Sequence, residues 1–491
     1  MTPRQKTAVG LLATGVVLGV VADVLFQGRP LGINAAIFAG AFVSALWVLL
    51  RVGGIALHQG RRAMAAPLLL FAALLAWHDS PLLVAVNLVG IAGAIALGAL
   101  RRTAPRVVHA EVSDYLVGAV SAGTAALGGA VAFMENEVPW AELRSRSRGR
   151  NAIAVGRGFA IGLPLVLLFG GLFVAADAVF KSLLESAVPN VGSLAIHIGI
   201  AVGVGWLSVG LLHDLLAERE DGRLGAAMVE AVGLKRPPVG VTEVVVALGV
   251  VDLLFAGFVA VQARYLFGGR GLVESRLHLT YAQYARHGFF ELVVVAILVL
   301  PLLLGLNMLV RPGERGARLV RGLSAALVGL VLVVMVSALD RMWLYERGYG
   351  LTELRIYAIG VILWLAVVFV WLLATVLRGQ SRRFATGAVV AGFAATIALN
   401  VLDPDALIAR TNLARPHIDA GYVGSLSDDA VPTLLARLPS LAPPLRSKLA
   451  AALLARSASG GGLLSWNAAR AAGASQLATR RAELERFASA R

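Results

Sequence analysis

The sequence predicts an all-α fold: a polytopic bundle of about eleven transmembrane helices, followed by a small polar helical C-terminal segment. Hydrophobic residues make up 58% and charged residues 15% of the 491 residues, and mean hydropathy is +0.79. A soluble domain is closer to about half apolar and a quarter charged. The apolar residues also fall in runs of the length that crosses a bilayer. An ordinary soluble enzyme, a disordered chain and a fibrous chain are therefore excluded.

Eleven apolar runs are candidate spans. In chain order they are Ala8–Phe26, Ile33–Leu50, Met64–Trp77, Leu82–Leu100, Ala152–Ala176, Leu194–Leu216, Val241–Ala263, Gly288–Val310, Gly322–Leu339, Ile356–Leu377 and Phe384–Leu402. Basic residues precede the first run and no small-residue cleavage site follows it, so it is predicted to be a signal anchor. Met64–Trp77 is the shortest run, and we expect it to lie in a thinned bilayer or to extend into its flanks.

A twelfth apolar run, Tyr115–Met134, is uncharged but rich in Gly and Ala. If it does not cross, the loops on the N-terminal side of the membrane hold 23 Lys and Arg and the opposite loops hold nine. If it crosses, each side holds 16. The positive-inside rule therefore favours eleven spans, a cytoplasmic N-terminus and a re-entrant or interfacial Tyr115–Met134. Twelve spans remain an alternative, because an uncharged run of this length normally crosses.

The remaining composition limits the chemistry. The net charge of +15 is accounted for by the basic loops, so we expect no nucleic-acid partner. The loop Arg144–Arg150 either orients the chain or docks anionic lipid or a cytoplasmic partner. No cysteine is present, which excludes disulfides and thiolate chemistry. The sequence contains no standard catalytic or nucleotide-binding motif, so we assign no catalytic residue, no metal and no cofactor, and the sequence argues against an enzyme without excluding one.

The composition changes after Leu402. Residues 1–402 are predicted to form the transmembrane domain and residues 403–491 a polar helical region on the extracytoplasmic side, since the latter contain no run long enough to cross. Ser427, followed by two aspartates, is a good helix start. Leu445–Arg456 and Leu463–Phe487 have the periodicity of amphipathic helices.

Polar and ionisable residues in or beside the apolar runs are the candidate binding residues, because such groups are costly in lipid. They are Asp252, Gln262, Arg264, His287, Glu291, Asp340, Arg341, Glu353 and Arg355. Asp252 lies near mid-membrane; it is either satisfied by a neighbouring helix or protonated, or it carries an ion or proton. His287 and Glu291 lie one helical turn apart, and a metal site there would need a third ligand. A hydrogen-bonded interface pair is the simpler interpretation.

The segment Asp340–Tyr357 is predicted to be a tight helical hairpin at the outer surface. Gly350 suits a helix end with positive φ, and Thr352 is placed to cap the next helix. We expect the charged residues at the two ends of the hairpin to pair, Asp340 or Glu353 with Arg341 or Arg355. The hairpin then has either a purely structural role or forms the rim of a binding site.

Six strings carry a resemblance to a known family. They are Phe258–Gly269, Leu279–Leu292 and Asp340–Tyr357, supported by Trp77–Leu83, Gly162–Phe180 and Asp419–Leu434. With them the chain resembles the bacterial multi-pass membrane proteins of the domain-of-unknown-function 4173 family, related to the similarly named 4153 group. The resemblance implies a bacterial inner-membrane protein with a trailing polar helical segment, and it implies no activity. His287 departs from the family pattern, in which another basic residue, usually arginine, is expected.

Two functions follow as hypotheses. The first is a sensor or accessory protein of the cell envelope whose outward-facing polar rim and tail bind a ligand, a lipid or another envelope or membrane protein. The alternative is a transporter or channel with a polar path around Asp252 and Glu291, with Pro164 and Pro301 marking helix breaks. An integral-membrane enzyme is a third option, for which the sequence offers no constellation of residues. In each case the lipid bilayer is a partner.

Overall fold

The computed structural model describes residues 3–56, 59–100, 110, 112–136, 138, 191–216, 241–267, 289–309, 316–416, 418–456 and 462–489. Every regular element in these ranges is a helix, which confirms the predicted all-α class. The apolar part contains α1 Pro3–Phe26, α2 Ile33–Gly53, α3 Gln59–Leu74, α4 Pro81–Gly98, α5 Val112–Asn136, α6 Val191–Leu216, α7 Val241–Phe267, α8 Phe289–Leu309, α9 Ala317–Tyr349, α10 Glu353–Thr375 and α11 Ser381–Leu402.

Nine of the helices described are long and apolar enough to cross a membrane. Between 11% and 44% of the residues in their apolar windows are buried, so most of the apolar surface faces outward and is suited to lipid rather than water. One of the nine covers Asp114–Met134, and the predicted span Ala152–Ala176 lies outside the described residues. Helix α3 has 16 residues, short of a full crossing, as its short apolar run indicates.

The apolar helices pack as two lobes. In the first lobe, α1 to α6 share a core that includes Leu18, Phe42, Phe133 and Leu212. In the second lobe, α7 to α11 share a core built mainly on α9. Helix α11 also contacts α4 of the first lobe. There, the side-chain amides of Asn87 and Asn400 exchange two hydrogen bonds of 3.0 and 2.9 Å, which satisfies both amides at the lobe interface.

Contacts between distant helices fix their relative directions. Helices α1 to α4 alternate in direction, and α6 is antiparallel to α1, as the residues that face each other across these pairs show. Asp23, near the end of α1, contacts His197, near the start of α6, at 2.8 Å, while Gly15 lies against Gly205, farther along α6. Helix α5 itself runs antiparallel to α6, with Ser121 beside Asp214 and Gly129 beside Gly210, and it is long and apolar enough to cross. This packing favours a crossing helix over the re-entrant or interfacial segment expected for Tyr115–Met134. The count of eleven spans and the twelve-span alternative stay predictions.

The two ends of the bundle differ in character. Helices α4 and α11 are antiparallel, so α11 ends where α4 begins, and the chain after Leu402 continues from that end. We call it the tail end. The opposite end, which includes the start of α1, carries several basic residues: Arg51, Arg318, Arg321, Arg378 and Arg383. We call it the basic end.

The residues after Leu402, which we call the tail, contain six further α-helices among the described positions. They are α12 Pro404–Asn412, α13 Ala420–Ser425, α14 Val431–Arg437, α15 Pro443–Ala455, α16 Ala468–Thr479 and α17 Arg481–Ser489. Leu434, Leu438, Leu449 and Leu453 form their buried core, to which Leu351 of the bundle contributes. The predicted Leu445–Arg456 helix matches α15. The Leu463–Phe487 segment divides at Arg480, which separates α16 from α17. The domain division at residue 402 stays a prediction.

Candidate functional site

The sequence-predicted residues of α7 and α8 do not assemble into a polar path within the described residues. The Gln262 side chain accepts a hydrogen bond from the Ser337 hydroxyl of α9. Asp252 is 9% exposed, and no described group hydrogen-bonds to either of its carboxyl oxygens, although a polar neighbour was expected. Glu291 is exposed at the start of α8. The side chain of Arg264 and the whole of His287 lie outside the described residues.

The hairpin between α9 and α10 has the predicted turn but different side-chain partners. Gly350 has φ +81°, as predicted. Arg355 donates to the Gly350 carbonyl oxygen, and its guanidinium lies 4.1 Å from the Tyr345 ring centroid. The Glu353 carboxyl group lies against that of Asp405 in the tail. Neither Glu353 nor Arg355 forms the predicted ion pair among the described residues, because the docked tail takes up this position. Asp340, the other carboxylate that was predicted to pair, is partly buried and precedes Arg341 on α9.

The tail holds the hairpin through two side chains. Asn412 accepts from the Leu351 amide at 2.8 Å and donates to the Leu351 carbonyl at 2.9 Å, so its amide group is matched to the turn on both sides. Arg415 donates to the carbonyls of Glu346 and Arg347 in the last turn of α9. The Glu346 carbonyl also accepts from the amide of Gly350, the C-cap of α9, at 2.8 Å, and the Arg347 carbonyl is among the last four of the helix, which lack partners within it. The tail thus completes the end of α9.

The tail also completes the ends of α3 and α4 in the first lobe. The first two amides of α16, Ala468 and Ala469, donate to the carbonyls of Ala76 and Trp77 at 2.8 and 3.1 Å. Asn467 donates to the carbonyls of Leu75 and His78 at 3.1 and 2.8 Å. These contacts place the positive end of one helix dipole against the negative end of another. Docking therefore satisfies backbone groups on both partners.

Asp429 is the centre of this contact. Its carboxylate accepts from the Asp79 and Ser80 amides at 2.8 and 3.0 Å, at the start of α4. It also accepts from the Ser427 hydroxyl at 2.9 Å and lies 2.6 Å from Nδ1 of His78. Burial alone would raise the pKa of Asp429, but these hydrogen bonds and His78 hold it below its ordinary value. The carboxylate is therefore ionised and suited to the positive end of α4.

Other carboxylates surround this pair, and we call the group the junction cluster. Its members are His78, Asp79, Asp403, Asp405, Asp428 and Asp429. Burial raises the pKa of Asp79 to about 6 despite Arg470, whose guanidinium lies 3.3 Å away. Burial, together with the Asp429 carboxylate, raises the pKa of Asp403 to about 6. Burial opposes protonation of His78, but Asp429 and Asp403 raise its pKa overall. The cluster concentrates negative charge.

Two apolar grooves adjoin the tail end. One, of about 450 Å³, separates α4 from α10 and α11 and is lined by Gly90, Gly93, Trp364 and Phe393. The other, of about 700 Å³, lies on the opposite side of the α10–α11 pair. Tyr357 lines the first groove, and its hydroxyl faces Ser80 of the junction. An occupant of that groove would therefore lie next to the junction cluster.

Sequence reasoning missed the junction cluster as a site. The two aspartates after Ser427, Asp428 and Asp429, were predicted only to start a helix, and no role was predicted for Asp79. Two of the strings that carried the resemblance, Trp77–Leu83 and Asp419–Leu434, contain most of the cluster. That signal marked both halves, but nothing in the sequence indicates that residues about 350 positions apart meet.

The fold and the junction define a class: a multi-pass α-helical membrane protein whose polar C-terminal helices dock on one end of the bundle. The model of the family described as "Domain of unknown function (DUF4153)" matches residues 65–436, most of the chain. The chain belongs to this family. The resemblance named the 4173 family first and the 4153 group as its relative; the match is to the 4153 group. No curated protein and no solved structure matches the chain.

Proposed function

We propose that this chain is a sensor or accessory protein of the bacterial cell envelope. It lies in the inner (cytoplasmic) membrane with its N-terminus in the cytoplasm and its tail outside. The arginines at the basic end of the described helices, Arg51, Arg318, Arg321, Arg378 and Arg383, support this orientation. A ligand, a lipid or another envelope protein binds at the tail end, and the protein responds to this binding.

One observation carries this proposal: the tail contacts both lobes at once. Asn467 and Asp429 hold the α3–α4 turn of the first lobe. Asn412 and Arg415 hold the α9–α10 hairpin of the second lobe. A structural connector that touches both lobes is able to couple their relative position to its own docking. A binding event at the tail then changes the distance between the two lobes at the basic end.

The test measures the distance between the lobes. Because the chain contains no cysteine, spin labels can be placed at Val52→Cys and Gln380→Cys, two exposed positions at the basic end of different lobes. Asn467→Leu releases the tail from the first lobe and Asn412→Leu from the second. Limited proteolysis verifies the release. Glu485→Gln, at an exposed ion pair with Arg481 in α17, is the control.

The proposal expects both release variants to shift or broaden the distance distribution by several ångströms, while the control keeps the wild-type distribution. If the tail becomes protease-sensitive and the distribution does not change, the tail does not couple the lobes. The sensor proposal then loses its basis.

A transporter is the second candidate, and Asp252 favours it. A carboxyl group buried about halfway along a span, without a hydrogen-bond partner among the described residues, is typical of proton and ion pathways. Reconstituted vesicles with wild type and Asp252→Asn test this function. Proton or cation flux that requires Asp252 would favour transport, and no flux in either preparation would leave this candidate without support.

A further inference from the structure

We propose that His78, Asp403 and Asp429 form a binding site for a divalent transition-metal ion, with Zn²⁺ and Mn²⁺ as the best-suited ions. The site lies where the tail meets the bundle. This inference goes beyond the proposed function and does not depend on it, since a metal ion at this place would stabilise docking whether or not the protein senses anything. The sequence alone predicted no metal, because the three residues are far apart in the chain.

The geometry suits one ion. One ring nitrogen of His78 and one carboxylate oxygen from each aspartate all lie within 4.8 Å of one another. Ligand distances of about 2.0–2.2 Å place the ligand atoms of a tetrahedral ion about 3.5 Å apart. Nδ1 is the ring nitrogen that faces Asp429, at 2.6 Å, so an ion bound to all three residues takes the place of the proton between these two atoms. Small movements of the side chains open this space, and solvent completes the coordination.

The junction cluster contains more carboxylates than cationic groups, which favours a bound cation. Asp79 pairs with Arg470 at 3.3 Å and Asp428 with Arg456 at 3.1 Å. Asp403 and Asp429 both interact with His78, and the Asp405 carboxyl group lies against that of Glu353. Asp405 is 0% exposed and Asp429 is 7% exposed. Buried negative charge without a matching cation is costly, so a divalent ion between two of these carboxylates relieves the imbalance.

A second, independent observation concerns the histidine. The His78 side chain is 5% exposed, and its Nε2 atom is buried without a hydrogen bond of normal geometry. The nearest polar groups on that side belong to the end of α11, where the Asn400 carbonyl faces the ring and Asp403 follows. With Nδ1 on the ion, the Nε2–H group faces this carbonyl, and a hydrogen bond from the second ring nitrogen is what orients histidines that bind metal ions.

The ligand set also selects the ion. Mg²⁺ and Ca²⁺ prefer sites made of oxygen ligands alone, whereas imidazole together with carboxylates suits Zn²⁺ and neighbouring transition metals. Asp429 is held in place by the amides of Asp79 and Ser80. Such outer hydrogen bonds orient a ligand before the ion arrives.

The experiment uses the full-length protein in lipid nanodiscs, stripped with a chelator and then titrated with ZnCl₂ or MnCl₂. Calorimetry should give one ion per chain, and thermal unfolding should move to higher temperature with the ion. Asp403→Asn is the key variant. Asn still accepts the hydrogen bond from the Ala406 amide and tolerates the positive φ of 50° at this position, so the fold is kept while a charged ligand is lost.

Asp403→Asn should weaken binding at least about tenfold, and His78→Gln should do the same. His197→Asn is the matched control, because His197 pairs with Asp23 at the same end of the bundle and has a more exposed side chain (43%). It should bind like the wild type. A wild-type protein that takes up neither ion, or Asp403→Asn binding with unchanged affinity and stoichiometry, would overturn the proposal and leave His78 and Asp429 as an ion pair only.

Discussion

Asp429 illustrates how one side chain decides where the tail docks. Its carboxylate caps the start of α4, pairs with His78 and accepts from Ser427 within its own turn. A neutral side chain of the same shape would keep part of the hydrogen bonding but lose the charge. The effect of a charge is large here because both partners are buried, with side-chain exposures of 5% and 2%.

Asp429→Asn should therefore lower the stability of the docked tail by about 3 kcal/mol or more in metal-free buffer, since it leaves His78 without its counter-charge. Thermal unfolding in nanodiscs measures the change. The exposed pair of Arg481 and Glu485 gives the reference, because Glu485→Gln should have almost no effect. Equal stability of the two variants would contradict the central position of Asp429.

Gly350 provides a second test at this scale. Its φ is +81°, and a Cβ atom would lie 2.5 Å from Oδ1 of Asn412. Gly379 has nearly the same φ, +79°, but no described atom lies within 4 Å of its Cβ position. Gly350→Ala should be more destabilising than Gly379→Ala by at least about 1 kcal/mol, because only the first also displaces Asn412. Denaturation in detergent compares them, and equal costs would show that Asn412 does not hold the hairpin.

Among the elements, α5 and α6 pack with their backbones close together. A Cβ atom at Gly210 would lie 2.1 Å from the Ala125 carbonyl oxygen, and Gly129 lies opposite. Small residues allow such contact between membrane helices. Ser121 of α5 also donates to Asp214 of α6 at 3.2 Å, so a hydrogen bond accompanies the packing.

Gly210→Ala should separate α5 from α6 and lower the thermal stability of the protein. Gly203→Ala on the same helix, where no described atom lies within 4 Å of the Cβ position, should cost little or even stabilise α6. Unfolding temperatures of both variants in the same detergent check this. Similar values for the two would mean that the close contact does not stabilise the first lobe.

The elements also show how far sequence reasoning reaches. Most apolar runs became helices at nearly the predicted bounds, since length and hydropathy dominate in lipid. The positive φ of Gly350 at the end of α9 was predicted correctly, because the backbone conformation of a glycine at a helix end depends on local sequence. The partners of Glu353 and Arg355 were predicted wrongly, because the tail supplies Asp405 and Tyr422 at that place. Helix bounds and turn conformations can be predicted from the local sequence, but contacts between segments that are distant in the chain cannot.

At the scale of the whole molecule, the tail joins two lobes that otherwise meet along α4, α5 and α11. It satisfies the open helix ends of α3, α4 and α9. This explains why a polar segment follows the membrane bundle. It also makes the sidedness of the tail the basis of the whole account, since sensing from outside requires an outside tail.

Cysteine labelling in spheroplasts tests this sidedness most directly, because the natural chain has no cysteine. Ser440→Cys lies exposed in the tail and Gln380→Cys lies exposed at the basic end. A membrane-impermeant maleimide should label Ser440→Cys in intact spheroplasts and Gln380→Cys only after the membrane is permeabilised. Labelling of Gln380→Cys in intact spheroplasts, with Ser440→Cys protected until permeabilisation, would contradict the account.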